Sequence, residues 1–298
     1  MSKATAPRPY SWLLVLISVL PIIMLTIGAM ALRYIETRMI ATAGETLALS
    51  AAEVSDKLDR FLIERHADVL MMARVFSVQS SNRVFQSAYV AELKTAYPDY
   101  LWIGATNELG QIVVATDPST LGRDYSAQPW FQAARSGQGV HMGDVEPFAV
   151  MGGPDAIAVT ASITGPRGEF LGVVTTRVGI SGLEHIMTGT LRSFRQREGF
   201  WGALEYQFLS EKGLAFIDSD LDHKGHVNLK RLGLPSALAS EESLSNYVEE
   251  EHLRRHVPVI TGYARTSALG VFKNLQWTVL MRMDRNDVLA PIREVLWN

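Results

Sequence analysis

The sequence predicts an α+β fold: an N-terminal membrane-spanning helix that runs into a long helix, then two tandem antiparallel sheets flanked by helices. Three observations predict it. Residues 12–32 carry no charged side chain. Residues 33–76 hold Leu47, Ala51, Val54, Leu58 and Phe61 or Leu62 at three- and four-residue steps, which gathers them on one helical face. Beyond residue 98, short apolar runs alternate with Gly-, Asn- and Pro-bearing turns, the pattern of strands and hairpins.

The first element is a membrane helix. A helix over residues 12–32 is about 30 Å long and matches the hydrocarbon core of a bilayer. Pro21 is tolerated there better than in a soluble helix. Lys3 and Arg8 flank one end, and Arg33, Glu36 and Arg38 the other, so the positive-inside rule is nearly balanced. Two readings share the segment. Ala29-Met30-Ala31 has the small-x-small pattern of a signal-peptide cleavage site. An apolar run of about twenty residues exceeds the roughly 7–15 of a signal core and favours an uncleaved anchor. Both readings export the rest of the chain. A buried core helix is the plain alternative.

The long helix continues without Pro, and Gly44 is its only Gly. A second helix over residues 82–96 ends before Pro98, because a proline disfavours helical backbone in the residue ahead of it. Strands over 100–105 and 111–116 flank Thr106-Asn107-Glu108-Leu109-Gly110. A short helix over 129–135 opens on Pro129, whose missing N–H costs nothing at a first turn. Strands over 155–164 and 169–178 flank Gly165-Pro166-Arg167-Gly168, and a helix over 181–194 comes next. The last third repeats the theme. Strands over 204–209 and 214–218 flank Ser210-Glu211-Lys212-Gly213; strands over 256–265 and 275–283 and a helix over 286–296 close the chain. Glu108-x-Gly110 precedes Asp117 by the same steps as Glu211-x-Gly213 precedes Asp220, an internal echo of one hairpin by another. The organisation expected is a tail at 1–11, a membrane helix at 12–32, two helices at 33–97, a first sheet module at 98–195 and a second at 196–298.

A formal charge of −3 argues against nucleic acid, since neutralising phosphates needs clustered Lys and Arg. The chain has no Cys, which excludes disulfides, thiolate metal sites and cysteine nucleophiles. Asp218-x-Asp220-x-Asp222 resembles the start of a calcium loop, but His223 and Leu229 stand where such loops need Gly and Glu. His252 and His256 are four apart, yet Glu251 precedes the pair and does not lie between them, as a metalloprotease helix requires. The run Glu249-Glu250-Glu251 reads as a solvated loop. No phosphate loop, nucleophile elbow or dinucleotide fingerprint occurs. No cofactor, metal or catalytic residue is expected.

The order of these pieces resembles the double Cache domain, a pair of PAS-like modules found outside bacterial membranes. Gln128-Pro129-Trp130-Phe131-Gln132-Ala133-Ala134 is followed by Gly143-Asp144-Val145, then by Gly168-Glu169-Phe170-Leu171-Gly172-Val173-Val174, and late by Leu275-Gln276-Trp277-Thr278-Val279. The resemblance covers residues 33–298. It implies an inner-membrane sensor with its bulk periplasmic or extracellular, and a small-molecule ligand in the membrane-distal module. It also implies homodimers along the N-terminal helix. A second membrane helix would follow residue 298 and lead to a histidine kinase, chemoreceptor or cyclic-dinucleotide enzyme.

The resemblance also proposes a ligand site. Members that bind amino acids pair an Arg two places before the Trp with an acidic residue late in the Gly-Val-Val strand. This chain has Gln128 and Arg177 at those positions, and Phe131 where Tyr is common; Asp144 matches an acidic ligand contact. The two-ended clamp for an α-amino acid is therefore absent. Arg177 reads as a carboxylate anchor on the opposite wall, and the ligand as a small organic acid or neutral molecule. The candidate set is Trp102, Tyr125, Gln128, Trp130, Phe131, Asp144 and Arg177. Each has a plainer role. Trp102 and Trp130 can fill core; Arg177 can be a surface strand residue; Tyr125 can close its loop, and Asp144 can cap a turn. Two rival functions stay open: a membrane-tethered hydrolase with dispersed catalytic residues, and a partner-binding ectodomain whose pocket is filled.

Overall fold

A computed structural model describes residues 11–137, 139–148, 153–195, 203–219, 227–267 and 275–297. The apolar N-terminal run and the long helix behind it form one unbroken helix, α1 (Ser11–Val78), of 68 residues. Pro21 lies inside it without ending it. At 1.5 Å per residue α1 is about 100 Å long. Its first part is bare: Leu16, Ile22, Met24, Leu25 and Met30 are all more than half exposed. This segment is long and apolar enough to cross a membrane, the one such helix among the described residues. Burial begins near Ile40, and the predicted stripe of Leu47, Ala51, Val54, Leu58 and Leu62 is fully buried.

After α2 (Arg83–Ala96), whose first turn is capped by the Asn82 side chain accepting from the Phe85 N–H at 3.0 Å, the chain builds two antiparallel sheets. The first contains β1 (Tyr100–Thr106), β2 (Ile112–Ala115), β3 (Val140–Pro147), β4 (Asp155–Thr164) and β5 (Phe170–Gly179), with α3 (Pro129–Arg135) before β3 and α4 (Ser181–Arg195) after β5. The second contains β6 (Glu205–Leu209), β7 (Ala215–Asp218), β8 (Ser245–Glu251), β9 (Pro258–Arg265) and β10 (Thr278–Asp284), with α5 (Pro235–Glu242) before β8 and α6 (Arg285–Trp297) at the end. The spatial orders are β2-β1-β5-β4-β3 and β7-β6-β10-β9-β8, the same permutation twice.

The internal echo is therefore structural. The pairs Gly104–Ala115, Ala105–Val114 and Thr106–Ile112 recur as Gln207–Asp218, Phe208–Ile217 and Leu209–Ala215. Both hairpins turn on a glycine in the left-handed region, Gly110 at φ 89° and Gly213 at φ 84°, where a side chain is strained.

One face of each sheet packs on α1. Ile103, Ala105, Ile157, Val159, Val174 and Val178 of the first sheet, and Ile260, Val279 and Met281 of the second, share a core with the α1 stripe. The contacts follow the helix in order. Gly44, Leu47 and Ala48 meet Tyr247 and Gly262 of the second sheet so closely that a Cβ on either glycine would overlap its neighbour. Further along, Ser77 Oγ donates to the Thr164 carbonyl of the first sheet at 2.6 Å.

The structure corrects several expectations. β3, β8 and α5 are elements that the sequence pattern does not announce. Glu249-Glu250-Glu251 is not a solvated loop: it ends β8, and Glu250 is only 8% exposed. Ser236 and Thr261 supply the hydrogen bonds that let its carboxylate stay inside. The late strand starts at Pro258, and His256 sits before it at φ 49°. Residues 1–10 of the tail, and Asp220, Asp222, His223 and His226, lie outside the described residues.

Candidate functional site

Side chains alternate across a strand, so the first sheet turns a second set of residues away from α1. Trp102, Gly104 and Thr106 of β1, Ala156, Ala158, Thr160 and Ser162 of β4, and Val173, Thr175 and Arg177 of β5 share that face. It is small and polar where the other face is aliphatic. The Thr160 and Thr175 hydroxyls meet at 2.7 Å in its centre.

α3 covers one end of this face. Pro129 starts it, and Gln128 is its N-cap residue without a side-chain cap bond. Trp130, Phe131 and Ala134 pack there with Val173, Phe170 and Tyr125. Phe131 is wholly buried, edge-on to Phe170 with centroids 6.0 Å apart. The Trp130 ring stands 5.8 Å from that of Tyr125. The Ser162 hydroxyl donates to the Ala134 carbonyl at 3.0 Å and ties the helix to β4.

Arg177 is the charged group at the centre. Its cross-strand partner is Trp102. Trp102 is 3% exposed, donates its indole N–H to Thr120 Oγ1 at 3.3 Å, and lies over Gly104, where a Cβ would overlap the ring. The Arg177 guanidinium carbon is 5.5 Å from the ring centres of Trp130 and Phe148 and 6.0 Å from that of Trp102. Cation–π attraction suits such a setting. One terminal nitrogen, Nη1, donates to Thr175 Oγ1 at 2.8 Å and to the Thr176 carbonyl at 2.9 Å. Among the described residues no carboxylate pairs with it. Burial pushes the guanidinium down to about 10, offset in part by Tyr125 and Glu146, so it stays charged at neutral pH. Arg177 is thus no surface strand residue; it is a half-buried cation in an aromatic cage.

The structure brings Trp102, Tyr125, Trp130 and Arg177 together; Phe131 packs beside Trp130, and Gln128 is exposed at the start of α3. The structure parts Asp144 from them. A bulge between Met142 and Val145 sets the two residues Gly143 and Asp144 opposite the single residue Ala158 of β4. Asp144 Oδ1 accepts from its neighbour Val145 N–H at 2.9 Å and from the indole N–H of Trp277 at 2.9 Å. Trp277 is wholly buried immediately before the second sheet's central strand. Asp144 therefore joins the two sheets. Sequence reasoning missed Phe148, Glu146, Thr160 and Thr175. Phe148 and Glu146 belong to β3 and its exit, a strand without a clear sequence pattern; the two threonines were legible only as period-two neighbours of Arg177.

No family model and no curated protein matches the chain. Solved structures do. An extracellular ligand binding receptor from Desulfohalobium retbaense aligns over 80% of this chain with a TM-score of 0.62 and 13% identity; the chain spans about 40% of that protein's length. The periplasmic sensory domain of the Campylobacter jejuni chemoreceptor Tlp1 aligns over 85% of this chain and 99% of its own length, with a TM-score of 0.64 and 12% identity. The ligand binding domain of the Pseudomonas aeruginosa amino acid chemoreceptor PctB, in complex with L-Arg, covers 83% of this chain and 97% of its own, with a TM-score of 0.60 and 16% identity. The fold of this chain is the one used by the extracellular and periplasmic sensory domains of bacterial receptors.

Proposed function

We propose that this chain is the extracytoplasmic sensor of a bacterial transmembrane receptor and that it binds a small carboxylate against Arg177. The observation that carries this reading is the unpaired Arg177 fork in its cage of Trp102, Trp130 and Phe148. A buried cation is costly unless paired, and a ligand carboxylate taking a bidentate bond supplies the missing partner. Tyr125, Trp130 and Phe131 on the α3 side shape the apolar wall. The first sheet is the ligand-binding module at 98–195 and the second the module at 196–298.

α1 connects this site to the membrane. Its bare apolar start spans the bilayer, its next turns carry the second sheet, and its far end carries the first. That order supports a membrane-distal ligand module. Two copies associate along α1, and ligand binding favours one of two arrangements of that helix. A ligand shifts such a balance only by its differential affinity, so a ~100-fold preference supplies under about 3 kcal/mol. The signal passes to a cytoplasmic output such as a histidine kinase, chemoreceptor or diguanylate cyclase.

Calorimetric titration of the full chain in lipid nanodiscs with propionate, succinate and L-alanine tests the reading. Carboxylates bind the native chain, and Arg177→Ala lowers their affinity at least ~30-fold, as loss of a charge-assisted pair implies. Carboxylate binding that survives Arg177→Ala refutes it.

A further inference from the structure

The two sheets share a register, and it extends from the hairpins to the strands that hold Arg177. In the first sheet, Arg177 stands between Trp102 of β1 and Ala158 of β4. In the second, Arg282 stands between Glu205 of β6 and Thr261 of β9. Trp102 and Glu205 lie two residues before Gly104 and Gln207, the matched hairpin positions, so Arg177 and Arg282 occupy one structural place. The outer strands match as well. Glu146 pairs with Ala156, two residues before Ala158, and Glu250 pairs with Val259, two residues before Thr261. Each sheet therefore carries an Arg on its central strand and a Glu on its edge strand, on the same face, with one strand between them.

Only the second sheet closes this pair. The Glu250 carboxylate lies 3.8 Å from Arg282 Nη2 and accepts from the Ser236 N–H at 2.8 Å, the Ser236 hydroxyl at 2.9 Å and the Thr261 hydroxyl at 2.6 Å. The backbone spacing thus allows contact across the intervening strand. In the first sheet Glu146 is exposed, and no hydrogen bond or ion pair holds its carboxylate among the described residues. The bulge that redirects Asp144 precedes Glu146 on β3; β8 has no such irregularity. Ala158 stands where Thr261 supplies a hydroxyl.

We infer that the Glu250 carboxylate marks where a ligand carboxylate rests against Arg177, and that Glu146 is the internal anion that competes with the ligand for this place and sets its affinity. This rests on the carboxylate reading given above. Glu146 also adds like-charge repulsion to any anionic ligand, and the repulsion grows with the ligand's charge. Its field already reaches Arg177, whose charged form it favours.

The test uses the full chain in nanodiscs, with propionate as monoanion and succinate as dianion, at low and high salt. Glu146→Gln should tighten propionate binding about 3-fold and succinate binding about 10-fold, with the gain shrinking as salt screens an exposed charge. Glu146→Lys should tighten both further. Unchanged or weaker binding in both Glu146 variants, while Arg177→Ala still weakens binding at least ~30-fold, overturns the competition and leaves the carboxylate reading standing. Binding untouched by Arg177→Ala overturns both.

Discussion

Trp277, wholly buried in the second sheet, donates its indole N–H to the Asp144 carboxylate on the first sheet, 2.9 Å away. This bond links an edge strand of the first sheet to the module nearer the apolar end of α1. Asp144→Ala leaves a buried indole N–H without an acceptor, and such an orphan costs about 1–3 kcal/mol. Urea unfolding should show that loss. A double-mutant cycle with Trp277→Phe should return a coupling of about 1 kcal/mol. Carboxylate affinity at Arg177 should change less than ~2-fold by calorimetry, because Asp144 does not join the cage. A large affinity loss with unchanged stability would instead return Asp144 to the ligand set.

Gly104 sets the pose of Trp102. A Cβ there would overlap the indole, so Gly104→Ala must move the ring or the strand. Overpacking of this kind costs about 1–3 kcal/mol. The displaced ring also leaves the Arg177 cage, so carboxylate binding should weaken alongside. In a Trp102→Leu background the same Gly104→Ala change should be nearly neutral, since the obstacle is gone. An equal cost in both backgrounds would place the strain elsewhere.

The long helix, the two hairpins and the β4–β5 pair were legible because their apolar residues recur at 3.6 or 2 and their turns carry Gly, Asn and Pro. β3 and β8 were not. Both are edge strands with one neighbour each, and edge strands tolerate charge. Val140–Pro147 and Ser245–Glu251 carry His, Asp and Glu where a central strand would carry Val and Ile. Arg177 was legible as a candidate from its place after the Gly-Val-Val segment. The direction of Asp144 was not, because a bulge changes which face a residue points to without leaving a sequence mark. Its partner Trp277 stands 133 residues away. Glu250 was hidden for a related reason: three consecutive acids look solvated, but alternation buries the middle one.

Tyr100 ties β1 to α1. Its hydroxyl donates to Asp68 at 2.7 Å, and the Arg65 guanidinium lies 5.3 Å from its ring centre. Burial first, then the hydrogen bond to Asp68, raises the phenol far above its ordinary 10. Below pH 10 the phenol is protonated folded or unfolded, and its stabilisation is complete. Above 10 the unfolded chain releases a proton that the folded chain retains, so stability falls as pH rises. Tyr100→Phe should cost about 1.5–3 kcal/mol at neutral pH, as a hydrogen bond to a charged group does. It should also flatten the alkaline decline seen in denaturant midpoints between about pH 10 and 11.5. A decline of unchanged slope would assign it to other groups.

Arg282 and Glu250 offer the last test, because their geometry is poor for an ion pair. Both are buried, they approach only to 3.8 Å, and Arg282 Nη2 has no hydrogen-bond partner among the described residues. Burial holds the Arg282 guanidinium below its ordinary value, with Glu250 the largest counterweight. Removing one partner strands the other charge in the interior, at about 3–5 kcal/mol. Glu250→Leu and Arg282→Met should each show that loss in urea unfolding. The double variant should recover most of it, since a loosely paired buried ion pair is often no better than apolar residues of similar size. Losses that simply add would mean the two charges do not share one site, and the parallel with Glu146 and Arg177 would lose its footing.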